Sequence, residues 1–124
     1  MSELPIPTEQ VEHLHVAQYL RYKGVMFNHS PNEGKREVRT GAQLKAMGMR
    51  PGFPDFFIYE ARNGYHGLAI ELKRIKGGTV SATQKQCLQE LRDRGYRAEV
   101  AKGFDEARKI IDEYLKEQKD EKRT

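Results

Sequence analysis

Gly52-Phe53-Pro54-Asp55 and Ile70-Glu71-Leu72-Lys73 stand on either side of Arg62-Asn63-Gly64, and the reading of this stretch decides the fold. An apolar run follows the Pro-Asp, and another precedes the Glu-x-Lys. A polar turn lies between them, which is the signature of a β-hairpin. The strands are expected over 55–61 and 65–74. If they pair antiparallel, the ends far from the turn come together. Asp55, Glu71 and Lys73 then meet at one spot on a sheet. Two carboxylates and an ammonium can hold a divalent cation and activate water against a phosphodiester.

Register is constrained by that chemistry. A two-residue Asn63-Gly64 loop pairs Arg62 with Tyr65 and sets Asp55 opposite Leu72, so Asp55 points away from Glu71 and Lys73. A three-residue loop pairs Ala61 with Tyr65 and sets Asp55 opposite Glu71. The cation-binding reading therefore requires an odd-length loop or a bulge. Glu71 and Lys73, two residues apart, share a face of their strand. A bare Glu-x-Lys is common as a solvated pair. Here Leu68, Ala69, Ile70, Leu72 and Ile75 mark a central strand, where charges are costly unless they coordinate or pair.

The rest of the chain reads as one domain around this hairpin. Its 124 residues suffice for a single core. Thr8 caps a helix to about Lys23, ended by Gly24. On a helical wheel Glu9, His13, Val16, Ala17 and Leu20 share one side, which aligns Glu9 with the buried stripe and leaves Glu12 at its flank, near Tyr19. A short strand over 25–29 follows, then a polar, basic loop over 31–41, and a short helix from Ala42 to Met47 stopped by Gly48. After the hairpin, Ser81-Ala82-Thr83-Gln84 has capping-box spacing and opens a helix to about Arg94, with Cys87, Leu88 and Leu91 inward. A fourth strand spans 96–101 and a last helix 105–117. Residues 1–7 read as a flexible start, 8–117 as the domain and 118–124 as a charged tail.

Composition bounds the function. Charged residues make up 32% of the chain, the net charge is +4 and the sequence pI is ≈ 9.2, which favours a polyanionic partner without proving one. The single Cys87 excludes an internal disulfide and a four-cysteine zinc site, and suits a reducing, cytoplasmic setting. No apolar stretch reaches the ~20 residues of a membrane span. The first residues carry no basic-then-apolar leader.

Further candidates surround the Asp55-Glu71-Lys73 trio, each with an ordinary alternative. Glu9 either joins the site or serves the helix dipole from the first turn. Gln84 either binds water or a phosphate from the helix start, or only completes the capping box. Asn32-Glu33-Gly34 is either a plain turn or places a polar side chain near a cleft. Lys35, Arg36, Arg39, Lys45, Arg50, Arg74 and Lys76 flank the site in sequence and suit backbone phosphate contacts, or a solvated surface. His13, His15, His29 and His66 have no zinc-ligand spacing. His13 reads as a packing residue of the first helix that can touch the site.

In order and spacing, Glu9, Asn32-Glu33-Gly34, Gly52-Phe53-Pro54-Asp55, Glu71-Leu72-Lys73, Ser81-x-x-Gln84 and Gly95-Tyr96 resemble the VRR-NUC family of the PD-(D/E)XK nuclease superfamily, over roughly residues 8–115. The resemblance implies an α/β fold with a central mixed sheet flanked by helices. It implies a Mg2+- or Mn2+-dependent hydrolase. Asp55, Glu71, the Leu72 carbonyl and Glu9 would hold the metal, Lys73 would be the catalytic lysine, and Gln84 would assist. Glu12 is close enough to Glu9 to be its alternate. Asn32, Lys35, Arg36, Arg39, Arg50, Arg74 and Lys76 would face DNA. Stand-alone members of this size are similar to phage and bacterial proteins shaped like Holliday junction resolvases, which implies a homodimeric endonuclease on branched or structured DNA, in the cytoplasm of a bacterial or phage-infected cell. Flap, duplex or RNA substrates, and DNA binding without catalysis, are the alternatives. No membrane and no nucleotide cofactor is expected.

Overall fold

The computed structural model describes residues 5–30 and 41–116. The loop residues Asn32, Lys35, Arg36 and Arg39, with Glu33 and Gly34, and the 118–124 tail lie outside them. Helix α1 (Glu9–Lys23) starts where Thr8 Oγ1 accepts the Val11 amide, and ends at Gly24, whose N–H returns to Leu20 and Arg21. Strand β1 (Phe27–His29) follows, then helix α2 (Gly41–Ala46), the hairpin strands β2 (Phe56–Ile58) and β3 (Leu68–Lys73), helix α3 (Ala82–Asp93), strand β4 (Arg97–Lys102) and helix α4 (Gly103–Leu115). The strands form one mixed sheet in the order β1-β2-β3-β4. The first two pairings are antiparallel and β3–β4 is parallel, joined by a crossover through α3.

Alternation along β3 sorts the layers. Leu68, Ile70 and Leu72 join Val16 and Leu20 of α1 and Ala107, Ile111 and Tyr114 of α4 in the larger core. Ala69 points the other way, to Leu88 and Ala98 under α3. Glu71 has the parity of Ala69. Residues 68–72 are all buried, as a strand with neighbours on both edges requires.

The hairpin corrects the three-residue loop. Arg62 and Tyr65 exchange backbone hydrogen bonds (3.2 and 2.8 Å) across a two-residue Asn63-Gly64 turn. Both turn residues have positive φ, 54° and 84°, a geometry glycine and asparagine tolerate. Yet Phe56 pairs with Ile70 and Ile58 with Leu68. Residues 59–61 thus face only 66–67, so the first arm carries one extra residue. This bulge restores the register that sets Asp55 opposite Glu71. Both strands are shorter than the sequence suggests because the ladder breaks there.

Two further expectations change. Glu9 is exposed, whereas Glu12 is buried with Val16 and Leu20. The cause is α4, which crosses on the Tyr19 side of α1: Tyr19 Oη donates to Asp112, and Phe104 N donates to Glu12 Oε1 at 2.8 Å. α4 itself begins at Gly103 rather than 105, and Glu106 reaches back to the Lys102 amide.

Candidate active site

The site lies at the end of β3 remote from the turn. Asp55, 6% exposed, directly precedes β2 and accepts the Leu72 amide on Oδ2 at 2.7 Å. Its own carbonyl accepts the Ser30 amide at 2.7 Å, which ties the end of β1 to the same spot. Glu71, 2% exposed, points toward the first turn of α3. Its Oε2 takes the Lys73 ammonium at 3.1 Å and the Gln84 side-chain amide at 2.9 Å. Ser81 and Gln84 form the capping box, so Gln84 Oε1 holds the Ser81 amide while Nε2 of the same side chain holds Glu71. Gln84 thus completes the capping box and at the same time binds the Glu71 carboxylate.

Glu71 is electrostatically poised. Burial, and then the neighbouring Asp55 charge, push its pKa up to about 7, against the lowering by Lys73. Its Oε1 is buried and lacks a hydrogen-bond partner. An orphaned carboxylate oxygen beside a second carboxylate is an expensive arrangement that a divalent cation relieves, so these residues fit a metal.

From the α1 side, His13 approaches Asp55 Oδ1 with Nε2 at 3.6 Å. Its Nδ1 lies 2.7 Å from the Glu9 carbonyl, one turn back. Burial lowers the His13 pKa, but the neighbouring Asp55 carboxylate and that carbonyl outweigh it, and the value is raised. His29, at the end of β1, stacks on Phe56 with ring centroids 4.7 Å apart and lies 4.9 Å from the His13 ring. Sequence reading did not place His29 here. Sixteen residues separate it from His13, and only the sheet brings them together; the β1–β2 register, with His29 opposite Phe56, is the signal.

The other candidates are dispersed. Glu9 lies on the surface one turn before His13. Glu12 is at the start of α4, with Oε1 on Phe104 and Oε2 buried without a partner. Arg50 makes two bonds to Glu90 (3.0 and 2.8 Å) and stacks on Phe53. Arg74 and Lys76 are exposed just beyond β3. A cleft of about 560 Å3 opens between the α2 segment and α3, lined among others by Lys45, Arg50, Gly52, Thr83 and Gln84. Gly52 permits that closeness: its φ is +93°, and a Cβ there would lie 2.8 Å from the Thr83 methyl and 2.9 Å from its carbonyl oxygen.

Comparison with known proteins agrees with this architecture. Residues 7–105 match the VRR-NUC domain. A solved VRR-NUC domain protein is 32% identical, with a TM-score of 0.77 over 91% of this chain and 92% of the other. A second solved VRR-NUC domain, 19% identical, shares the fold, with a TM-score of 0.61 over 86% and 97% of the two chains. No curated protein matches. With that match over most of its length, and with the carboxylates and lysine gathered at one end of a mixed sheet, the chain belongs to the VRR-NUC family of nuclease-type domains.

Proposed function

We propose that this domain is a divalent-metal-dependent endonuclease that hydrolyses phosphodiester bonds of branched or structured DNA, with Mg2+ or Mn2+ as its cofactor. The observation that carries the reading is the Asp55–Glu71 pair, buried side by side with one orphaned oxygen, with Lys73 3.1 Å from the second. Asp55, Glu71 and the Leu72 carbonyl would hold the metal, with Glu9 as the first-helix ligand. A bound Mg2+ or Mn2+ would supply Lewis-acid stabilisation of the phosphate and lower the pKa of water.

The chain's own residues do the rest. Leu72 N–H fixes one Asp55 oxygen and so aims the other. In an extended strand a residue's N–H and C=O point to the same neighbour, so the Leu72 carbonyl also faces Asp55. The position that continues the register opposite Leu72 is Pro54, which has no N–H to donate. That leaves the carbonyl available as a ligand and explains proline before the aspartate. Lys73 is held by Glu71, where its ammonium can orient the attacking water and stabilise charge on phosphorus. Gln84 steadies Glu71 from α3. Lys45 on the cleft wall, and Arg74 and Lys76 exposed just beyond β3, would supply positive charge for the DNA backbone.

The test offers a labelled four-way junction, its linear duplex, a flap and an RNA hairpin to wild-type and Lys73→Ala protein, with Mg2+, Mn2+ or EDTA. The expected result is cleavage of the junction by wild type in metal only, reduced at least 100-fold in the variant. Lys73→Ala and Asp55→Ala proteins that cut as fast as wild type would sink the proposal. Cutting confined to another substrate would reassign it.

A further inference from the structure

His13, His29 and Asp55 bring one potential ligand atom each to within 4.8 Å of one another. Neither histidine belongs to the carboxylate-and-lysine set used above. The hydrogen-bond geometry at His13 is informative. A carbonyl only accepts, so the 2.7 Å contact with Glu9 O puts a proton on Nδ1. The other ring nitrogen, Nε2, is turned to Asp55 Oδ1, 3.6 Å away. Nε2 and Oδ1 thus face each other across the gap between α1 and the start of β2. The separation is long for a hydrogen bond, whose usual N···O range is about 2.7–3.2 Å. It is close to the ~3.4 Å edge of a tetrahedron whose ligands sit about 2.1 Å from a central ion. A backbone carbonyl holding the far nitrogen of a ligating histidine is also the usual support of a metal site.

We propose that His13 Nε2, a ring nitrogen of His29 and Asp55 Oδ1 form a cation site for a borderline transition ion of the Zn2+ or Co2+ class. It adjoins the Asp55–Glu71 pocket and shares Asp55 with it. Imidazole suits such ions, whereas Mg2+ prefers oxygen and keeps its waters. The two pockets therefore sort cations by hardness: an all-oxygen pair on the α3 side and a nitrogen-rich set on the α1 side. Water or substrate completes the coordination through the cleft of about 600 Å3 lined by Gln10, His13, Arg21, Asn28 and His29, among others.

The site rests on its own geometry, and its test reads binding directly. Zn2+ is titrated into the full chain while the imidazole signals of all four histidines are followed by NMR, with Mg2+ as the control ion. Absorption by Co2+ reports the coordination number. One equivalent of Zn2+ should shift the His13 and His29 rings together, and excess Mg2+ should not. His29→Gln should weaken Zn2+ binding at least tenfold. His29 is exposed, so this variant keeps the test decisive should His13→Gln fail to fold. Zn2+ that shifts neither ring, or that binds His29→Gln as tightly as wild type, overturns the site. Cleavage in Mg2+ by a protein whose histidines do not respond to Zn2+ overturns this site alone. A histidine response in a protein that cuts nothing in any metal overturns the nuclease reading alone.

Discussion

Glu71 carries the sharpest consequence at the scale of single residues. Its folded pKa of about 7 lies above the ordinary 4.5, so the folded protein holds this proton more tightly than the unfolded chain does. The penalty for ionising it is absent below about pH 4.5, develops up to pH 7 and is complete above. Its size is of order 3 kcal/mol. The cation-free protein should therefore lose stability as pH rises from 5 to 8. His13 acts in the same direction: its raised value adds stability at low pH that is lost as pH rises through it. E71Q keeps the acceptor for Lys73 and Gln84 but removes the charge. In urea titrations without metal, E71Q should be more stable than wild type at pH 8, and the gap should close toward pH 5. Mg2+ or Mn2+ should raise the wild-type melting temperature more at pH 8 than at pH 5, and E71Q's hardly at all. A flat wild-type profile would remove the electrostatic account.

At the scale of elements, the two acids of α1 divide their work. Glu12 holds the first turn of α4 through Phe104 N, and Glu9 is exposed one turn before His13. Glu12→Ala should cost about 1–2 kcal/mol, the usual worth of a helix cap, and slow cleavage only as far as it unfolds the protein. Glu9→Ala should leave the urea midpoint unchanged and weaken Mn2+ binding severalfold. The reverse pattern would exchange their roles. Gly52→Ala tests the seating of the loop before Asp55 against α3. Positive φ and a contact under 3 Å should together cost roughly 1–3 kcal/mol, read as a lowered urea midpoint. The helix caps were legible in the sequence because Thr8, Gly24, Ser81 and Gln84 act within four residues of themselves. The central strand was legible because Leu68 to Leu72 is apolar except for one costly charge. The bulge over 59–61 was foreseen only as a condition the chemistry imposed, since nothing local marks it. Glu12 and His29 escaped a one-helix or one-strand reading because α4 and the β1–β2 pairing, both tertiary, decide their surroundings.

At the scale of the whole molecule, the described strands, with α1, α3 and α4 packed on them, place Asp55, Glu71, Lys73 and Gln84 at one end of the sheet. We propose that two copies act together, since a single chain of 14.3 kDa presents one such site and a branched substrate offers two strands to cut. Light scattering with the protein and DNA contributions separated should give two chains per junction, and one chain per junction with full cleavage activity would refute dimerisation. At the opposite end of the sheet, the hairpin tip is clasped by the last turn of α4: Arg62 donates to the Leu115 carbonyl, Asn63 to that of Tyr114, and Tyr114 Oη to Glu60 O. The hairpin runs some 20–25 Å from that clasp to Lys73 at the usual rise per strand residue. A fluorophore or affinity handle attached at Lys116 is thereby anchored behind the working end. The same clasp makes that back end a natural point for immobilising the enzyme with its cutting face turned to solution.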